Sequence, residues 1–314
     1  KNAVMKILLC GGESPLGKSL VYRLEQLPFP FIQLAADALA AITTAELESL
    51  LREKQIGAIV NVQHLPFSGG HFSERADVLA CQYLRNPEML ALAAAATGCF
   101  LLQLSDCQVF SGQQAAAYRE TDVPDAKAPY GAMRLAGEQA VIDKCPRHLI
   151  LRTGELFSSL GPNVLTNLLD AWRNGGSAPV SVRYQFCPTS VRDAARVIVA
   201  LLQQLSCGIE PWGVYHYCGT DAISYHDFAR LVKQIIESQP ELNLVMGMRE
   251  IAEGLPPLSW ALDCSKIREM FGIKQHAWRA GLTSGVKRAL LVHDSTNAGY
   301  LQATHEGDQD GGCD

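Results

Sequence analysis

The stretch ILLCGGESPLGKSL, residues 7 to 20, holds the first residues whose type and spacing could do chemistry. An apolar run breaks at Gly11 and Gly12, and Gly17 follows as helical periodicity begins. A strand, a Gly-rich turn and a helix together point backbone N–H groups and the positive helix end at a pyrophosphate. In Gly11-x-x-Ser14-x-x-Gly17 the middle position is not glycine. Ser14 adds a Cβ and a hydroxyl where a phosphate would approach, and Pro15 has no N–H to offer. The same pair makes a good N-cap and first helical residue, so the helix itself is expected to start there. The turn is therefore expected as architecture and weakened as a ligand site. Its candidate cofactor contacts are Gly11, Ser14, Leu16 and Gly17, and Lys18 could reach a phosphate.

The elements that must position this turn are legible as a rhythm. The apolar runs VMKILLC, FPFIQLA, IGAIVNV, CFLLQL and HLILRT alternate with the helical patterns SPLGKSLVYRLEQL, TTAELESLLREK, RADVLACQYLRNPEMLALAAAAT and APYGAMRLAGEQAVIDK. Such alternation predicts an α/β fold, a Rossmann-type doubly wound parallel sheet joined by right-handed crossovers. Thr43 or Thr44, with Glu46 and Glu48, starts one helix, and Gly57 follows its end. Gly98 closes the long Ala-rich helix. After Arg152 the rhythm loosens into a helix near 162–174, the stretch SVRYQFCPTSVRDAARVIVALLQQL, a strand GVYHYCG and a helix SYHDFARLVKQIIES. The predicted division is a dinucleotide-binding domain over 1–153 that also receives parts of 188–220. A smaller α/β substrate lobe covers 154–187 and 221–292, and a disordered polar tail covers 293–314.

The bulk composition removes several function classes. A net charge of −5 over 314 residues, without long like-charge runs, gives no basic stripe for nucleic acid and no polybasic membrane patch. No apolar stretch approaches the roughly 18 residues of a membrane span. The N-terminal apolar run is short and passes straight into the glycine turn, so it reads as a first strand and not as a leader. Residues 1–4 are expected to be an addition ahead of Met5. The 10 cysteines are scattered without a Cys-x-x-Cys pair or a ligand spacing with His, so no metal is expected. They read as reduced thiols, which places the chain in the cytoplasm. A homodimer is a further expected partner state.

Several later stretches, taken with the glycine turn, resemble the extended short-chain dehydrogenase/reductases, and specifically the dTDP-4-dehydrorhamnose reductase family. They are SDCQVFSG at 105–112, YRETDVP at 118–124, YGAMRLAGE at 130–138, LRTGELFS at 151–158, PTSVRDAA at 188–195, GVYHYCG at 213–219 and LDCSKI at 262–267. They occur in the family's order and cover nearly the whole chain. LDCSKI also resembles the regulatory β subunit of methionine adenosyltransferase, an NADP-binding member of the same family that is the partner of another enzyme.

The resemblance implies NADP or NAD as cofactor and NAD(P)H-dependent reduction of a 4-keto-6-deoxy nucleotide sugar. A hydroxyl residue, a tyrosine and a lysine would carry that reaction, the tyrosine as acid with its pKa lowered by the neighbouring cation. Tyr130 matches the tyrosine. The lysine position holds Arg134, four residues on and so on the same helical face. A planar guanidinium is not a compact ammonium, which puts the cofactor geometry in doubt. The hydroxyl position holds Asp106, whose carboxylate only accepts hydrogen bonds and opposes the developing alkoxide. If the alignment holds, Asp106 and Arg134 pair with each other and fill the volume where a nicotinamide would react.

The resemblance also places Asn61, Val62 and Ser105 at the cofactor, and Asn86, Glu155, Pro188 and Trp260 at the substrate. Asp37 at the second strand could accept from an adenosine ribose, favouring NAD. Asn61-Val62-Gln63-His64 stands where the family resembles N-A-A-A, so larger side chains fill space beside the cofactor. Pro256 replaces an arginine suited to a nucleotide diphosphate, and Glu155 replaces a stacking tryptophan. Two readings follow: a reductase with impaired chemistry acting on a nucleotide-sugar-like small molecule, or a catalytically degenerate regulatory or binding subunit with a partner enzyme.

Overall fold

The computed structural model describes residues 5–64, 76–239 and 244–294. Residues 1–4 lie outside the described residues; of the tail expected over 293–314, residues 293 and 294 belong to the last helix and 295–314 lie outside the described residues. The first half runs β1 (Ile7–Cys10), α1 (Pro15–Glu25), β2 (Phe31–Leu34), α2 (Ala36–Ala41), α3 (Thr44–Glu53) and β3 (Ala58–Asn61). It continues with α4 (Ala76–Ala80), a π turn (Cys81–Arg85), α5 (Asn86–Thr97), β4 (Phe100–Asp106), α6 (Pro129–Lys144) and β5 (His148–Thr153). The second half comprises β6 (Leu156–Phe157), α7 (Val164–Arg173), β7 (Ser177–Val180), β8 (Tyr184–Phe186), β9 (Thr189–Ser190) and α8 (Val191–Ser206). Then come β10 (Gly213–Tyr217), β11 (Ile223–Ser224), α9 (Tyr225–Glu237), β12 (Gly247–Glu250), β13 (Leu258–Ser259), α10 (Ser265–Phe271) and α11 (Arg279–Asp294).

Six parallel strands form the central sheet in the order β10-β5-β4-β3-β1-β2. Because β1 lies between β2 and β3, the chain reverses its direction of travel across the sheet there. A crevice opens at the carboxyl ends of strands at such a point, where ligands of open α/β sheets sit. The inner strands β1, β3, β4 and β5 are buried on both faces, as a sheet covered by two helix layers requires. Ile7 and Leu9 join one core with Leu16, Leu20 and Leu24 of α1 and Ala194, Ile198 and Leu202 of α8. Leu8 and Cys10 face the other, with Leu47 and Leu51 of α3, Leu90 and Ala94 of α5 and Val141 of α6. At roughly 1.5–3 kcal/mol per buried leucine, the stripe of α1 alone is a substantial anchor. A separate core gathers Leu165 and Trp172 of α7, Phe228 and Val232 of α9, and Leu282 and Val286 of α11.

Local chemistry explains the helix limits. Ser14 accepts from the Gly17 N–H at 3.0 Å with Pro15 behind it, the N-cap expected from sequence. Thr43 and Glu46 close a capping box at α3. Gly98 ends α5 at φ 77°. Gly57 follows the end of α3 as expected, while the end itself is made by Lys54 as cap and Gln55 at a positive φ of 55°. The stretch at 75–97 expected as one helix is helical from 76 to 97 with a π turn inside it, and α2 was not expected at all.

Candidate functional site

Asp106 is the last residue of β4, paired in register with Thr153 of β5. One carboxylate oxygen, Oδ1, caps the following 3-10 turn by accepting from the Gln108 N–H at 2.9 Å. The other, Oδ2, accepts from the Tyr130 hydroxyl at 2.5 Å and lies 3.3 Å from Arg134 Nε. Tyr130 and Arg134 share a face of α6, four residues apart, and Arg134 Nε also donates to the Tyr130 hydroxyl at 3.0 Å. The expected Asp106–Arg134 contact is present, with side chains only 8 % and 2 % exposed.

Two glycines of YGAMRLAGE explain how α6 comes so close. A Cβ on Gly131 would sit 2.0 Å from the Gln108 carbonyl oxygen, and one on Gly137 would sit 2.1 Å from that of Tyr83. The first contact presses Tyr130 onto the turn that follows Asp106. The second seats α6 on the π turn, where Tyr83 lies under the guanidinium with its ring centre 4.3 Å from Arg134 Cζ. A cation over an aromatic face is attracted by the ring quadrupole, the more so when desolvated. Arg134 Nη1 donates to the Leu104 carbonyl at 3.0 Å, and Nη2 lies 2.9 Å from His64 Nδ1. All three guanidinium nitrogens are therefore engaged by the protein.

The electrostatics follow from this packing. Burial, reinforced by Asp106, pushes the Tyr130 phenol well above its ordinary value, against the pull of Arg134. Burial and then Arg134 push the His64 imidazole down to about 4, so it is neutral at pH 7. Arginine can only donate, so His64 Nδ1 is the acceptor and the ring proton sits on Nε2.

The glycine turn forms the other wall. Gly11, at φ 90°, lies so close to the end of β3 that a Cβ would come within 2.6 Å of the Gln63 nitrogen. A Cβ on Gly17 would fall 1.9 Å from the Gly11 carbonyl oxygen, so glycine is required for α1 to approach. The Gln33 side chain lies over Gly12, its Oε1 2.1 Å from where a Cβ would stand. A shallow cleft separates this turn from the loop after β6, with Ser14, Leu16, His64, Phe157, Asn163 and Val191 in its lining.

The remaining sequence candidates are dispersed. Asn61 and Val62 are buried at the end of β3; Asn61 donates to Gln103 Oε1 at 2.9 Å, and the Val62 N–H to the Cys10 carbonyl at 2.9 Å. Asn86 is buried and donates to Gln63 Oε1 at 3.0 Å, so it is held inside the molecule. Ser105 is buried beside Tyr83, Gln103, Arg134 and Glu138, around a crevice too narrow for a water molecule. Its hydroxyl is the only buried side-chain N or O without a partner among the described residues. Asp37 is exposed in the first turn of α2 and accepts from the Ala38 N–H at 2.8 Å. Pro188 is buried, its carbonyl against Gly219. Trp260 donates to the Phe110 carbonyl at 3.0 Å and lays its ring over Gly112. Glu155 accepts from the Tyr225 hydroxyl; burial first, and Asp106 after it, raise the Glu155 carboxyl to about 7. Tyr83, Gln33 and Tyr225 were missed: a π turn has no periodic signature, and nothing in sequence joins Tyr225 to Glu155. Among the described residues no group of three or more His, Cys, Asp or Glu could hold a metal ion.

Two features of this arrangement bear on a nicotinamide dinucleotide. At the pyrophosphate end Ser14 occupies the Gly17 N–H and Pro15 has none. At the reactive end the phenol donates a hydrogen bond to Asp106, and each nitrogen of the neighbouring cation already donates or faces a ring nitrogen.

A parallel sheet with this strand order, a glycine turn at its reversal point and a Tyr-x-x-x-Arg helix beside it define an extended short-chain dehydrogenase/reductase with a Rossmann-type fold. Within that class the chain belongs to the RmlD substrate binding domain family, which matches residues 5–291. It is 27 % identical over 206 residues to dTDP-4-dehydrorhamnose reductase of Aggregatibacter actinomycetemcomitans, covering 63 % of this chain and 70 % of that protein. It is 31 % identical over 202 residues to methionine adenosyltransferase 2 subunit beta of Xenopus tropicalis, covering 62 % of this chain and 59 % of that protein. The crystal structure of dTDP-4-dehydrorhamnose reductase from Bacillus anthracis in complex with NADP superposes with a TM-score of 0.73 at 19 % identity, covering 91 % of this chain and 98 % of that one. No helix among the described residues is long and apolar enough to cross a membrane.

Proposed function

We propose that this chain is a cytoplasmic reductase-fold protein with impaired hydride chemistry, acting as a binding or regulatory subunit for a partner enzyme. One observation carries the reading: the Tyr130 hydroxyl donates to Asp106 at 2.5 Å while Arg134 Nε donates to the same hydroxyl at 3.0 Å. An acid for carbonyl reduction must give its proton into the cleft and have its anion stabilised. Here the proton is directed at a carboxylate, and the cation is shared with it. An alkoxide forming about 4 Å from that carboxylate would meet like-charge repulsion of about 4 kcal/mol at an effective dielectric of 20, roughly three powers of ten in rate. The kinship with methionine adenosyltransferase 2 subunit beta supports an enzyme as the partner class.

A second reading, reduction of a 4-keto-6-deoxy nucleotide sugar at a low rate, is favoured by the retained Tyr130 and a cation one helical turn on. Titration with NADPH and NADH, followed by nicotinamide fluorescence, separates the two. The expected result is no change up to millimolar cofactor. Micromolar binding, with oxidation on adding a dTDP-4-keto-6-deoxy sugar, overturns the first reading.

A further inference from the structure

Away from the cleft, three thiols meet in the interior. Cys218 follows β10, at one margin of the main sheet, and is fully buried; Cys264 precedes α10 and is 6 % exposed. Their sulfurs lie 3.7 Å apart, although the residues are 46 positions apart in the chain. Both sulfurs face the Leu262 carbonyl, Cys218 Sγ at 3.5 Å and Cys264 Sγ at 3.8 Å. Gln275 Nε2 reaches Cys218 Sγ at 3.5 Å, and Cys187, one residue past β8, hydrogen-bonds Cys218 as well. The topology gives the pair its meaning. The chain leaves the sheet at Cys218 and builds β11, α9, β12 and β13, with Phe228 and Val232 of α9 in the second core. It returns at Cys264, and Ile267 and Phe271 of α10 then join the core that holds Tyr215 of β10. The outgoing and returning threads therefore touch sulfur to sulfur.

We propose that Cys218 and Cys264 are a peroxide-responsive dithiol, which closes to a disulfide and fastens the segment 219–263 to the main sheet at its base. Two thiols and one hydrogen peroxide give one disulfide and two waters. The sulfur of Cys264, the less deeply buried of the two, attacks one peroxide oxygen; the O–O bond breaks, the departing hydroxide takes the thiol proton as water, and Cys264 becomes a sulfenic acid. The Cys218 sulfur then attacks the Cys264 sulfur, the S–O bond breaks, and the second water leaves with the Cys218 proton. Two electrons pass from sulfur to oxygen. Closing from 3.7 Å to the roughly 2.05 Å of an S–S bond takes a movement of about 1.7 Å shared between two side chains. At rest the pair stays reduced: against the hydrogen bond from Cys187, the one with Cys264 and then burial raise the Cys218 thiol well above its ordinary value, which slows exchange with bulky disulfides. Once closed, the cross-link removes conformations from the opened chain, so α9 opens less often.

Hydrogen peroxide is the probe, applied to the full chain carrying Cys207→Ser, because Cys207 is exposed and shares the tryptic peptide 197–230 with Cys218. Cys264 and Cys187 fall in the separate peptides 250–266 and 184–192, so mass spectrometry after alkylation reads the partner directly. Sulfoxide on Met270, 53 % exposed, marks the peroxide dose. The expected product joins 197–230 to 250–266, reverts with dithiothreitol, and slows hydrogen exchange across α9 by about fivefold or more. Cys187→Ala is expected to keep the link, and Cys264→Ala to abolish both the link and the slowing. No link once Met270 is oxidised, a link from 197–230 to 184–192 in its place, or a link that leaves α9 exchange unchanged overturns the proposal, as does slowing that persists in Cys264→Ala.

Discussion

Replacing Asp106 by asparagine removes one charge from the buried pair while keeping the side-chain shape. The attraction between charges 3.3 Å apart is about 5 kcal/mol gross at an effective dielectric of 20. Part of it returns because the variant no longer buries a carboxylate. Against that, an amide has one acceptor oxygen for two donors, the Tyr130 hydroxyl and the Gln108 N–H, so about 1 kcal/mol of hydrogen bonding is lost. The net is a fall of about 3 kcal/mol, at the lower edge of what breaking a buried pair costs. Arg134→Met should cost a similar amount. The Leu104 carbonyl stays satisfied in that variant because Gln103 Nε2 also donates to it at 2.9 Å. The double variant should lose much less than the sum, with a coupling of about 2–3 kcal/mol, since each single change strands a charge that the other removes. Urea unfolding at pH 7 of the four proteins measures all three quantities. A single Asp106→Asn cost below about 1 kcal/mol, or strictly additive changes, would show that the pair is not electrostatically coupled as described.

Two further outcomes are expected. Gly17→Ala should destabilise by about 3 kcal/mol or more in thermal melts, because its Cβ would meet the Gly11 carbonyl oxygen at 1.9 Å and that atom is backbone. The pH dependence of stability should carry two opposing slopes. The raised Glu155 carboxyl stabilises fully below about pH 4.5 and loses that contribution as pH rises through about 7, whereas the His216 imidazole, pushed down to about 3 by burial and then Arg152, stabilises above pH 6.5 and loses its contribution as pH falls towards 3. Glu155→Gln should therefore weaken the decline of stability between pH 4.5 and 7 in urea titrations, the raised Glu120 carboxyl supplying what remains, and a decline as steep as in the parent protein would refute the assignment.

The elements with a strong period were legible before any coordinates. Each of the five early apolar runs marks a strand, β4 running two residues past its run to Asp106, and Ser14 with Pro15 and Gly98 mark helix ends as their chemistry requires. The Asp106–Arg134 contact was also readable, because a four-residue offset on a helix and a strand terminus constrain both partners. What escaped was of two kinds. The two-residue strands β6, β9, β11 and β13 are too short for alternation to be visible, and α2 carries no cap of its own since Ala35 makes no side-chain bond. The second kind is tertiary: Tyr83 under Arg134, Gln33 over Gly12 and Tyr225 on Glu155 depend on how far apart in the chain two elements can be and still touch. The candidates Asn86 and Ser105 were drawn from a family pattern, and their burial away from the cleft is set by amide partners and side-chain direction that a pattern does not encode.

The sixth strand of the main sheet arrives late. β10 pairs with β5 over five residues, from Gly213 with Leu149 to Tyr217 with Thr153, after the chain has built α7, β7 and α8. Cutting the polypeptide at residue 153 would leave β5 as a bare, apolar sheet margin, the kind of surface on which strands of neighbouring molecules stack. The segment between the two strands is thus bracketed by the sheet itself, so a genetic exchange that swapped only the first half would carry an unpaired border with it. Only a cut after Tyr217 keeps that border of the sheet covered.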